Sequence, residues 1–240
     1  MRYLFSTATQ PVCGRLAAER TLCAFDFDGT LAPIVERPEL AAMRERTREL
    51  LRRVAAVYPC VVISGRSRED LAAMLAGVDV AGMVGNHGAD GAVETGEWRR
   101  VMEAGLAGMD GVWVEDKGAS LAVHYRQYAG KAEARKRIAN GAAGLEGARV
   151  YGGKEVVNIV GEGAPHKGTA LAAERERLGC EWVLFVGDDD NDEDAFGLEG
   201  NTVPVRVGER ARSKARYYVK DQTEVDRLLE RLAALRERVG

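Results

Sequence analysis

No Cys-x-x-Cys pair occurs in this chain; Cys13, Cys23, Cys60 and Cys180 are scattered. That distribution fits reduced, buried thiols in a cytosolic protein rather than a disulfide framework or a zinc site. A run of about 18 apolar residues, the length needed to span a bilayer, is also missing. Residues 1–16 carry Arg2, Gln10, Pro11 and Arg15 and lack the apolar centre of a signal peptide. Nor is there an excess of basic charge. With 34 Lys and Arg against 37 Asp and Glu, the net charge is −3. A general nucleic-acid binder is excluded on that ground, because affinity for a phosphate backbone needs a basic surface. Internal repeats and low-complexity tracts are absent. The expectation is a cytoplasmic protein with neither nucleic-acid nor membrane partners.

What is present is ordinary for a globular protein: 240 residues, 46% hydrophobic and 30% charged. That length suits one large domain, or a core with a smaller insert. Short apolar runs at 22–25, 60–63 and 182–186 each stop at a polar or glycine residue and read as buried strands. Further strands are expected at 80–84, 203–207 and 217–219. Helical periodicity marks 39–57, 68–76, 169–178 and a final face from Val225 through Leu228, Leu229, Leu232 and Leu235 to Val239. Strands that are apolar throughout and alternate with helices predict a doubly wound parallel sheet, Rossmann-like, covered on both sides.

Residues 97–163 behave differently. Strand-like segments at 112–115 and 120–127 carry polar positions, 131–143 is a charged helix, and 149–151 and 155–160 are strand-like again. This predicts an α+β cap inserted into an α/β core made of residues 1–96 and 164–240. Glycine-rich joints flank it.

Chemistry gathers where the buried strands end, which is the ligand edge of an open parallel sheet. The first strand ends in Asp26-Phe27-Asp28-Gly29-Thr30 and the second in Ser64-Gly65-Arg66. Lys167 opens a helix after the insert, and the strand before Gly187 ends in a run from Asp188 to Asp192. Carboxylates, hydroxyls and an ammonium suit phosphoryl transfer. A carboxylate attacking phosphorus is repelled by the phosphate unless a hard dication such as Mg2+ offsets the charge. Asp26 is the candidate nucleophile, and Asp28 the acid and then the base. Thr30, Ser64 and Lys167 are the candidate phosphate ligands. Asp26, Asp28 and Asp188 are the expected metal ligands, with Asp189 and Asp192 as outer ones.

Other readings of these strings fail on detail. Asp188, Asp190, Asp192 and Glu199 fall at EF-hand positions, but Glu193 stands where that loop needs glycine. Lys167 precedes Gly168, which reverses the order of a P-loop. A phospho-signalling receiver needs neither an acid at 28 nor a cap.

The four motifs resemble those of the haloacid-dehalogenase superfamily, in order and across essentially the whole chain. They are Asp-Phe-Asp-Gly-Thr at 26–30, Ile-Ser-Gly-Arg at 63–66, Lys167, and Gly-Asp-Asp at 187–189 followed by residues 191–196. Strings at 86–89, 115–126 and 153–157 are similar to those of its trehalose-phosphate phosphatases. The resemblance implies a Mg2+-dependent phosphatase, acting on a sugar phosphate and foremost trehalose 6-phosphate, as a monomer or homodimer. Phosphatases of other sugar phosphates, and a silent sugar-phosphate binder on the same fold, remain alternatives.

In the cap, alternate residues of a strand share a face. His124 and Arg126 are thereby paired, as are Lys154 and Asn158; all four are candidate substrate ligands, or else the wet side of a half-buried sheet. His87 and His166 carry no assigned role. Two departures from the family stand out. Asn158 occupies a position usually held by glutamate. Gly105, Gly108 and Gly111 argue against the family's long cap helix over 99–111, predicting a trimmed cap.

Overall fold

The computed structural model describes residues 1–88, 95–118, 120–152 and 155–238, without the side chain of Pro38. The chain begins with β1 (Arg2–Tyr3), α1 (Gln10–Ala18), β2 (Thr21–Phe25), α2 (Glu45–Val57), β3 (Cys60–Ile63), α3 (Arg68–Met74) and β4 (Gly82–Val84). There follow α4 (Gly96–Gly105), β5 (Trp113–Asp116), β6 (Ser120–His124), α5 (Lys131–Ala142), β7 (Ala148–Gly152) and β8 (Val156–Gly161). The last part is α6 (Lys167–Arg177), β9 (Trp182–Gly187), α7 (Glu193–Phe196), β10 (Thr202–Val207), β11 (Tyr217–Val219) and α8 (Gln222–Arg236).

Contacts divide the chain into two compact units. One comprises Met1–His87, His166–Asp188 and Asp192–Gly240; the other comprises Gly88–Pro165 and Asp189–Asn191. In the first, the described strands form a parallel sheet in the order β1-β11-β10-β9-β2-β3-β4. Both faces are buried, and side chains alternate between them. Cys23, Phe25, Val62 and Val186 meet the layer containing α1, α2 and α8, while Leu22, Ala24, Val61 and Phe185 meet the layer of α6 and α7. Helix α8 anchors its layer with Val225, Leu228, Leu229 and Leu232, all fully buried; each contributes about 1.5–3 kcal/mol of apolar burial.

Two expectations shift. The helix expected over 39–57 starts only at Glu45: Arg44 is extended, and Leu40 is 65% exposed rather than on a buried face. Met43, which lengthened the apparent periodicity, is buried from a loop. Helix α1 was not legible as an element, although its Cys13, Leu16 and Ala17 are buried and it packs on α8.

In the second unit an antiparallel sheet, ordered β5-β6-β8-β7, is covered on one face by α4 and α5. A helix does form where the glycines argued against a long one: α4 has ten residues and ends at Gly105. Trp98, Met102 and Leu106 recur at i, i+4 and i+8 and bury in the same cluster as Ala134, Ile138 and Ala142 of α5. Gly105 falls on the last helical position, and Gly108 and Gly111 lie beyond it at positive φ. The glycines end this helix rather than prevent it.

Candidate active site

From β2 the chain builds outward through β3 to β4, and from β9 it builds the other way through β10 to β11. The junction of β2 and β9 is thus the topological switch point, where a crevice opens beyond the carboxyl ends of the strands. Phe25 and Val186 are register partners there. One step past them β2 delivers Asp26, and β9 ends at Gly187 and delivers Asp188.

Lys167 arrives as the first residue of α6. Its placement is fixed by His166, the N-cap, whose Nδ1 accepts the amides of Gly168 and Thr169 at 3.1 and 3.4 Å. Thr169 Oγ1 in turn accepts the amide of His166 at 2.8 Å, completing a reciprocal capping box. A ring nitrogen accepting amides carries no proton, so its 3.7 Å approach to Asp194 is not an ion pair. His166, unassigned by sequence, is the residue that aims Lys167.

The Lys167 ammonium is 1% exposed, 2.8 Å from Asp26 Oδ1 and 2.6 Å from Asp192 Oδ1. Asp192 Oδ2 accepts the amide of Asp188 at 2.8 Å. Burial, opposed by Lys167 and reinforced by Asp192 and Asp188, pushes the Asp26 carboxyl well up. For Lys167, burial disfavours the charge, but the carboxylates of Asp192 and Asp26 outweigh it and hold the ammonium protonated.

Carboxylate oxygens of Asp26, Asp188 and Asp192 all lie within 4.8 Å of one another. Three buried carboxylates facing one ammonium carry surplus negative charge, and all-oxygen donors of this kind fit a hard divalent cation. Such an ion would offset the repulsion by Asp192 and Asp188 that adds to the effect of burial on Asp26. Gly29 makes the packing possible. It sits at φ +82°, and a Cβ there would stand 2.0 Å from Asp188 Oδ2.

The Asp28 side chain lies outside this set of side-chain carboxylates and forms a fork with Arg66, at 2.7 Å for each oxygen. Asp192 stands in the set, and Asp189 does not. Ser64, at the end of β3, is buried, and its Oγ accepts the amide of Arg66 at 3.3 Å. Thr30 is fully buried; its carbonyl accepts from Gln222 Nε2 at 3.2 Å, and its hydroxyl has no hydrogen-bond partner among the described residues. Arg206 was not anticipated. From the next strand, β10, it donates to the Asp188 carbonyl at 2.6 Å and pairs with Glu193 at 3.0 Å, fixing the loop after β9. An arginine inside an otherwise apolar strand was the available signal.

In the second unit, His124 and Asn158 lie on the sheet face opposite the helices, since Leu121, Val123, Val157 and Ile159 take the helical side. His124 Nε2 is 2.8 Å from Glu115 Oε2, and its ring stacks on Trp113 at 4.1 Å. Asn158 is buried, with Ala122 and Tyr151 as register partners. Arg126 departs from expectation: β6 ends at His124, the chain turns over 125–128, and strand alternation no longer governs position 126. Its guanidinium pairs with Glu155 at 3.4 Å. Lys154 lies outside the described residues.

Carboxylates from two adjacent strand ends and a buried lysine, at the switch point of a parallel sheet, are the arrangement that the resemblance to haloacid-dehalogenase phosphatases implies. The sequence model of the trehalose-phosphatase family matches residues 24–223, and the chain belongs to that family. A trehalose-phosphate phosphatase of Mycobacterium tuberculosis is 31% identical, over 91% of this chain and 62% of its own length. A protein of the same organism described as an uncharacterised glycosyl hydrolase is 34% identical over 91% of this chain, which spans only 18% of that relative. Among solved structures, the C-terminal domain of Candida albicans trehalose-6-phosphate phosphatase superposes with a TM-score of 0.82 at 21% identity, covering 93% of this chain and 96% of that one.

Proposed function

We propose that the chain is a Mg2+-dependent phosphatase that converts trehalose 6-phosphate to trehalose and inorganic phosphate. The observation that carries this reading is the buried cluster of Asp26, Asp188 and Lys167 at the junction of β2 and β9. Membership of the trehalose-phosphatase family supports the choice of sugar.

Asp26 is the nucleophile. Its carboxylate oxygen forms the bond to phosphorus as the bond from phosphorus to the sugar oxygen breaks, giving an aspartyl phosphate and an alkoxide that takes its proton from Asp28. Asp28, now a carboxylate, then accepts a proton from water as that water attacks phosphorus, releasing phosphate and regenerating Asp26. Lys167, with the hydroxyls of Ser64 and Thr30, balances charge on the phosphoryl oxygens. Asp26, Asp28 and Asp188 would hold Mg2+, which when bound supplies the positive charge that keeps Asp26 ionised and tolerates an anionic substrate. Asp192 serves as an outer partner that orients Lys167 and the Asp188 backbone. Residues 97–163 are the specificity domain, where His124, Arg126, Lys154 and Asn158 bind the sugar. Work in the cytoplasm belongs to the same proposal, supported by four free, buried cysteines.

Phosphate release across a panel tests the reading: trehalose 6-phosphate, sucrose and hexose phosphates, and mannosyl- and glucosyl-glycerate phosphates, each with Mg2+. The highest kcat/KM is expected on trehalose 6-phosphate. A clear preference for another sugar would overturn the substrate while leaving the reaction class intact.

A further inference from the structure

Arg66 grips Asp28 with two parallel bonds, Nε to Oδ2 and Nη2 to Oδ1, each 2.7 Å long. A fork of this kind fixes the plane of a carboxylate as well as its position, which a single contact cannot do. The guanidinium is largely buried and lies over the ring of Phe27, 5.6 Å from its centroid.

The backbone behind the fork is itself clamped. Asn86 donates its amide to the Arg66 carbonyl at 2.8 Å, and His87 donates to the Ser64 carbonyl at 2.8 Å. Both donors adopt left-handed φ values, 49° and 58°, unfavourable for residues with a Cβ and kept only where surrounding contacts require them. Gly65 completes the clamp: a Cβ there would stand 2.3 Å from His87 Nε2. The loop after β4 therefore holds residues 64–66 rigidly, and that loop in turn holds the side chain that orients Asp28.

We infer that Arg66 is a positioning residue for the proposed acid and base, acting through Asp28 rather than on the phosphate. It aims the carboxylate at the oxygen that leaves in the first step and the water that attacks in the second. The inference rests on the proposed role of Asp28 in phosphate-ester hydrolysis.

The test is steady-state kinetics of wild type, Arg66→Ala, Arg66→Lys, Asp28→Asn and the Arg66→Ala/Asp28→Asn double variant. Each is assayed on trehalose 6-phosphate and on an aryl phosphate, beside a thermal melt. Arg66→Ala is expected to lower kcat on the sugar phosphate about tenfold to a hundredfold, the scale of a misaligned group, with KM little changed. The aryl phosphate, whose leaving group needs less protonation, should lose less. Arg66→Lys should recover part of the loss through a single-point contact. In the Asp28→Asn background, Arg66→Ala should cost nothing further, because its effect is transmitted through that carboxylate. Equal losses on both substrates, or losses that multiply in the double variant, would overturn the positioning role. So would wild-type kcat in Arg66→Ala while Asp28→Asn is impaired, and in that case the proposed function survives. A wild type that hydrolyses neither substrate would sink the function and this inference together. Should Arg66→Ala fail to fold, Arg66→Gln and Arg66→Lys carry the same comparison.

Discussion

Lys167 Nζ stands 2.8 Å from Asp26 Oδ1, with neither residue more than 5% exposed. An ion pair this dry is held by geometry, and removing one partner leaves the other charged and unsatisfied. Lys167→Met should cut kcat about a hundredfold to a thousandfold. The same variant should lose about 3–5 kcal/mol of stability in urea unfolding without divalent cations. Retained activity with unchanged stability would show that the lysine is peripheral.

Asp28→Asn keeps the shape of the side chain but removes the exchangeable proton. Turnover of the sugar phosphate should fall about 10²–10⁴-fold, with a smaller loss for an aryl phosphate. If both substrates lose equally, the side chain serves architecture and not proton transfer.

The core was legible wherever a buried strand announced itself by an unbroken apolar run. Strands β2, β3 and β9 and the aspartates at their ends were read directly, and so the switch-point site followed. Helix α1 was not, because Gln10, Pro11 and Gly14 dilute a short segment whose burial depends on α8. Helix α4 is masked in the sequence by Gly105, Gly108 and Gly111, whose low helix propensity obscures the Trp98–Met102–Leu106 spacing that packs it. Arg66 and Arg206 could not be assigned from sequence. Each acts on a residue far away or across a loop, Arg66 on Asp28 being 38 positions distant.

His124 stacks on Trp113 and bonds Glu115, so its ring is held in place without a ligand. As proposed sugar ligands, His124, Arg126 and Lys154 should each, when changed to alanine, lower kcat/KM on trehalose 6-phosphate by about tenfold or more. An aryl phosphate should be nearly unaffected. Parallel losses on both would assign these residues to the structure of the sheet.

Cys23 and Cys60 are opposite one another on β2 and β3 and fully buried. Burial pushes the Cys60 thiol up to about 12 and raises Cys23 well above its usual value. In the unfolded chain these thiols ionise near pH 8.5, and the native state holds their protons longer. Stability contributed by the buried thiols is therefore complete below about pH 8 and declines as pH rises toward 12. The loss for Cys60 alone is of order 5 kcal/mol at the upper end. Urea midpoints across that range check it, and Cys60→Ala should flatten the decline. A decline unaltered by that substitution would locate the ionising group elsewhere.

The most direct measurement is phosphate release from trehalose 6-phosphate in Mg2+ by wild type and by Asp26→Asn, each repeated in excess chelator. Wild type should turn over only with the metal, and Asp26→Asn should be inactive with its fold intact by circular dichroism. An amide cannot form the acyl phosphate, and it weakens the carboxylate set that faces Lys167. Substantial turnover by Asp26→Asn, or undiminished wild-type activity in chelator, would contradict the account.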